Sequence, residues 1–166
     1  TTWGFIPLVA SSLNATPFQL GLLGVVSTVP AILIAPLAGT VMPRKFGVRA
    51  TLITGFLLAA FGSAFVAVTS SLTMLFIVHL IGSIGAAILG TLLLGLCIRG
   101  ISAERRAAAM GFYQAVYGIG MSLGPWVMGQ VVYIFNLNTA FIFTGLIGVF
   151  GAFLTFIYVK RGHLTY

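Results

Sequence analysis

The sequence predicts an all-α, polytopic transmembrane helix bundle, and three observations predict it. The chain is 60% hydrophobic and only 5% charged, against about 25% charged in an ordinary soluble domain. Its apolar residues form uninterrupted runs of membrane-spanning length, and its eight Lys and Arg gather in three short clusters between alternate runs. A soluble fold of 166 residues needs a polar shell, which eight basic residues and the lone acid Glu104 cannot supply. The shell is therefore lipid. A net charge of +7 points to nucleic acid only where basic residues line one face of a water-soluble domain, so a nucleic-acid partner is excluded.

A helix crosses the hydrocarbon with about 20 predominantly apolar residues, because it satisfies its own backbone. Residues 3–10 read as the outer end of a first, truncated span. Residues 20–42, 50–68, 72–98, 107–134 and 139–159 read as five complete spans. Thr1 begins partway through a hydrophobic segment, with no initiator Met, basic leader or small-residue cleavage pattern. The expectation is a single half-domain over 1–166, part of a longer chain. Barrel strands of about ten alternating residues are absent.

Pro30 and Pro36 predict a bend in the 20–42 span. Cys97 has no second thiol and reads as packing, so neither a disulfide nor a metal framework is expected. Gly145, Gly148 and Gly151 recur every three residues in the last span and read as a face where helices approach closely. Trp3, Tyr133, Tyr158 and Tyr166 stand near span ends and read as interfacial anchors.

Orientation follows from the basic residues, since cytoplasmic loops retain Lys and Arg. Arg44, Lys45 and Arg49 lie in one connection, Arg99, Arg105 and Arg106 in the next but one, and Lys160 and Arg161 after the last span. The intervening turns, 11–18, 69–71 and 135–138, carry no charge. The expectation is an integral protein of the plasma (cell inner) membrane, with the first turn outside and the C-terminal tail cytoplasmic.

Two local patterns carry more information. The first is Gly39-Thr40-Val41-Met42-Pro43-Arg44-Lys45-Phe46-Gly47-Val48-Arg49, a basic, Gly-containing turn between two spans. The second is Gly111, eight residues, Gly120, three residues, Gly124-Pro125, two residues, then Met128-Gly129. Its glycines remove side chains from one helix face and Pro125 removes a backbone donor, which predicts a kinked, closely packing helix.

The first pattern resembles the loop between the second and third helices of a half in the major facilitator superfamily. It departs in lacking the family's acidic position, occupied here by Pro43 or Arg44, and in one extra residue, so the latch role of that acid is not carried over. The second resembles the superfamily's antiporter motif, with Met128 in place of the first of two terminal glycines. The segment from Ile101 to Gly111 also resembles the connection leading into that helix. The resemblance runs from Asn14 to Lys160. It implies one six-helix half of a twelve-helix carrier working by alternating access, with the other half of the same polypeptide as its partner. The Gly124-Pro125 motif is best known from the fifth helix, which favours the N-terminal half. The missing loop acid and short basic tail favour the C-terminal half, which is the reading adopted.

Polar groups inside hydrocarbon are expensive and are functional candidates by default. His79 is the only ionisable group well inside a span and stands where the family's matching helix often carries Arg; it is a candidate for proton coupling or substrate binding. The alternative is a neutral His bonded to a neighbouring helix. Tyr113, Gln114 and Tyr117 are pathway candidates on the Gly-Pro span, with interhelical hydrogen bonding as the alternative for Gln114 and Tyr117. Tyr113 and Tyr117 share a face, Gln114 points about 100° away, and Gln130 shares the face only loosely. Gly39, Arg44, Gly47, Arg49, Glu104 and Arg106 are loop and gating candidates, Glu104 as an ion-pair partner of Arg44, Arg49 or Arg106.

No paired acids, metal cluster or Ser-Lys dyad lies within the spans, so an intramembrane enzyme is not expected, nor a cofactor. The family resemblance implies a transporter of small organic solutes, with proton-coupled efflux preferred. A nutrient uptake carrier and a non-transporting scaffold or receptor are the alternatives.

Overall fold

The computed structural model describes residues 2–159, and side chains from Gly4 onward. Lys160, Arg161, His163 and Tyr166 lie outside the described residues, as does the side chain of Trp3. Among the described residues there are six helices and no strand: α1 (Thr2–Ser12), α2 (Pro17–Lys45), α3 (Val48–Val66), α4 (Leu72–Cys97), α5 (Ala103–Ile134) and α6 (Leu137–Tyr158). The expected helix bundle is the observed fold.

Local chemistry sets the ends. Asn14 takes a left-handed φ of 59° after α1, and the amides of Asn14 and Ala15 bond back to the carbonyls of Ser11 and Ala10, so the last turn of α1 is closed. Thr16 then caps α2: its backbone N–H donates to Gln19 Oε1 at 2.8 Å, and its Oγ1 accepts from the Gln19 amide at 3.3 Å. Pro17 follows where a missing donor costs nothing. Ser71 Oγ and Asn136 Oδ1 cap α4 and α6 by accepting from the amides of Met74 and Thr139.

After the second of the two prolines read as bending α2, the helix is irregular. Pro36 supplies no amide donor, and directly after it α2 widens into a π-helical turn, Leu37–Val41, that includes Gly39. The helix then continues to Lys45 and stops at Gly47, whose φ of 84° and ψ of 155° suit glycine and reverse the chain into α3. The short basic turn is thereby fixed by a buried glycine.

The middle of the bundle is α3, which packs most extensively on α4 and α6, while α2 packs on α4. A Cβ on Gly62 would fall on the backbone of Gly82, and one on Gly85 on the backbone of Ala59. On another face of α3, a Cβ on Gly148 would meet the Ala60 Cβ at 2.9 Å, and one on Gly145 the Ala64 Cβ at 2.8 Å. The expected packing face of Gly145, Gly148 and Gly151 is therefore real, and its partner is α3. Such stripes of small residues let backbones approach where lipid gives no hydrophobic drive between helices.

Core residues form two clusters. One gathers Ile6, Val9, Leu23, Val66, Leu75, Val78, Met128 and Phe141 near the uncharged turns. The other joins Val48, Leu52 and Leu92 near the basic turns. Large apolar side chains face outward along α6, among them Leu146, Phe150 and Phe153, as lipid contact requires.

Four helices, α2, α3, α4 and α6, are long and apolar enough to cross a membrane. That is one fewer than the five complete spans read from the sequence. The difference is α5: at 32 residues it is long enough, but Glu104, Arg105, Arg106, Gln114 and Gln130 and its many Gly residues lower its apolarity. The 11-residue α1 is the short first segment that the sequence led one to expect.

Candidate functional site

His79 projects from α4 about two turns from its start and is 8% exposed. It faces the backbone of Leu23 on α2. It borders two cavities. One, of ≈ 170 Å³, is lined by Ile6, Pro7, Leu20, Leu23, Gly24 and Ser27. The other, of ≈ 70 Å³, lies toward α3 and includes Ser63, Gly82 and Ser83. The three serines were not singled out in the sequence, although Ser83 stands one turn from His79 and so shares its helix face.

The other pathway candidates lie elsewhere. Tyr113 and Tyr117 stack with nearly parallel rings, 6.3 Å between centroids. Tyr117 and Gln114 are exposed on α5, and no α5 residue lines either cavity at His79. The helix-motif glycines Gly111, Gly120 and Gly129 meet nothing within 4 Å of where a Cβ would stand, and Gly124 and Pro125 lie on the same weakly packed helix. Met128, the departure from the motif, is the buried residue of α5 at 2% exposure. Thr144 Oγ1 approaches its Sδ at 3.6 Å, so this residue is what seats α5 on α6.

At the basic end, Gly39 and Arg106 come together with Arg99 around a cavity of ≈ 290 Å³ that also includes Thr91 and Gly95. Arg106 Nε donates to the Ile101 carbonyl at 3.1 Å. Arg49 lies over the Phe156 ring, 4.1 Å from its centroid, a cation–π contact joining the start of α3 to the end of α6. Arg44 is exposed beside the buried Pro43 and Gly47. Glu104, expected in the loop, stands in the first turn of α5. There its charge favours the helix N-terminus.

Cys97 donates to the Leu94 carbonyl at 3.1 Å, as a packed thiol does. No group of three or more His, Cys, Asp or Glu able to hold a metal occurs among the described residues.

The arrangement is an apolar helical bundle with basic turns at one end and small polar groups buried near the other. That is an integral membrane protein, and comparison with known proteins gives its class. The model of the Major Facilitator Superfamily matches residues 1–164. The chain belongs to that superfamily, a family of transporters rather than of enzymes.

Curated relatives carry the name "Putative multidrug resistance protein MdtD". The one from Shigella flexneri serotype 5b is 26% identical over 150 residues, covering 90% of this chain and 32% of the relative. That of Escherichia fergusonii is 25% identical over the same shares. The chain thus spans about a third of the length of these relatives.

Proposed function

We propose that this chain is one six-helix half, the C-terminal one, of a secondary active transporter that moves small organic solutes by alternating access, in proton-coupled efflux. The observation that carries the reading is the match of the superfamily model to 1–164, supported by relatives whose names refer to multidrug resistance. The other half of the same polypeptide is the partner, and the exposed sides of α5 leave room for it. The membrane is the cell inner membrane, with the basic turns and the tail in the cytoplasm.

In this reading His79 is the proton-carrying candidate of this half, with Tyr113, Gln114 and Tyr117 contributing polar contacts to solute from α5. The Gly39–Arg49 turn, with Glu104 and Arg106, belongs to the cytoplasmic gate. A charge contact made in only one conformer biases the exchange between inward-open and outward-open forms.

The test is flux of a panel of labelled organic compounds in vesicles holding the full-length protein, with and without an imposed proton gradient. Gradient-driven efflux is the expected result. Gradient-independent or inward-directed flux replaces it with an uptake carrier, and no flux for any compound in either direction supports a scaffold.

A further inference from the structure

The two cavities that meet at His79 contain a polar group with nothing to bond. Ser83 is 7% exposed, and its Oγ is buried without a hydrogen-bond partner among the described residues. Ser27, at 4% exposure, differs: its hydroxyl donates back to the Gly24 carbonyl at 2.8 Å. A buried hydroxyl left unpaired is costly, and folded proteins meet that cost with ordered water where the space is polar and large enough. The cavity at Ser83 is large enough, and Ser63, His79 and Ser83 give its otherwise apolar wall three polar groups for water to bond. Its ≈ 70 Å³ exceeds several-fold the roughly 10–15 Å³ that one water needs, so it has room for a pair.

The surroundings fix what such water reaches. Ser63 on α3 and His79 and Ser83 on α4 border the same cavity. Gly62 and Gly82, which bring α3 and α4 into backbone contact, form part of its wall. His79 also borders the ≈ 170 Å³ cavity toward α1 and α2. No other ionisable side chain, from α1, α2, α3 or α4, lines either cavity among the described residues.

We propose that the ≈ 70 Å³ cavity is a water site: a pair of ordered waters bonds the Ser83 hydroxyl and links it to His79 and Ser63. The imidazole therefore exchanges protons with internal water. A hydronium in this site gives its proton to the imidazole and reverts to neutral water; the reverse step restores both. This deepens the proposed coupling role of His79 by naming what delivers the proton, yet the water site is measurable whether or not the protein transports anything.

The experiment is deuterium exchange at the imidazole C2–H of His79, read by mass spectrometry on the full-length protein in lipid nanodiscs. With water in the cavity, the expected rate is within about tenfold of that of histidine in an unstructured peptide. Ser83→Val fills the space and removes the hydroxyl, and is expected to slow exchange at least about fivefold. Ser83→Ala is expected to lower the melting temperature, because the waters lose a partner. A wild-type rate more than about tenfold below the peptide value overturns the proposal. So does a Ser83→Ala protein that melts higher, since removing an orphaned hydroxyl from a dry site is stabilising. If Ser83→Val fails to fold, the wild-type rate and Ser83→Ala decide.

Discussion

Helices α3 and α5 are both rich in small residues, and the bundle uses them in opposite ways. Along α3, Gly55 and Gly62 face α4 so closely that an added Cβ would meet Ile88 and Leu89 at 3.0 Å or the backbone of Gly82. Ala60 and Ala64 of the same helix receive Gly148 and Gly145 of α6. Along α5, Gly111, Gly118, Gly120 and Gly129 look into open space, and contact with α6 is anchored at Met128. A stripe of small residues becomes a seam only when a second helix stands opposite it at the same level. In α3 both partners belong to this chain. In α5 the partner, on the reading proposed above, is the other half.

Breaking the seam gives the largest expected effect. In Gly62→Val the side chain must enter the backbone of α4, so loss of folded, monodisperse protein is expected in fluorescence-detected size-exclusion chromatography. The milder Gly62→Ala is expected to lose about 1–3 kcal/mol to overpacking, read as a lower melting temperature. Insensitivity of both would mean that α3 and α4 do not meet there. Next is Met128→Ala, which empties the α5–α6 contact and is expected to remove about 2 kcal/mol, the low end for a buried methionine, because one face of α5 is open. Thermal unfolding of the full-length protein measures it.

Gly120→Ala separates the two uses of glycine. Within this half the position is open, and an uncovered alanine there gains about 0.5–1 kcal/mol through helix propensity. With the other half covering the face, as proposed above, the full-length protein is expected to be destabilised instead, which sharpens the contrast with α3; a stabilised one removes that partner from α5. The smallest effect is expected from Glu104→Gln, which removes a favourable charge from the start of α5 and is worth about 0.3–1 kcal/mol. A changed ratio of inward-open to outward-open conformers, followed by spin-label distances, would add a gating role to that helix-end role. For His79→Gln, unchanged pH-dependent transport would remove the coupling role altogether.

Much of the fold was legible because lipid imposes simple rules. The apolar runs, the charge-free turns and the Gly145, Gly148 and Gly151 face each follow from the sequence, since each reports a local requirement of one helix. Gly47 was legible in the basic turn, whereas the Thr16–Gln19 cap emerged only from the structure although its two residues lie three apart. Three readings depended on more. α5 is the least apolar of the long helices, because charged and amide side chains, glycines and Pro125 interrupt it. Glu104 reads as a loop residue, whereas the helix starts one residue earlier and leaves the acid in its first turn. Of the candidate site residues, His79 was visible as a costly ionisable group, while Ser27, Ser63 and Ser83 passed as ordinary small polar residues.

By itself, then, the sequence determined the solvent, the helical class and the end of the bundle that carries the charge, because hydropathy and charge act on each segment separately. Only the tertiary structure decided which glycines are seams and which are open, and that Met128 is the anchor of α5. It alone decided that Ser83 faces a cavity beside His79 with no partner. Those outcomes depend on which helix stands opposite, and at what level, and a one-dimensional pattern holds no such distance.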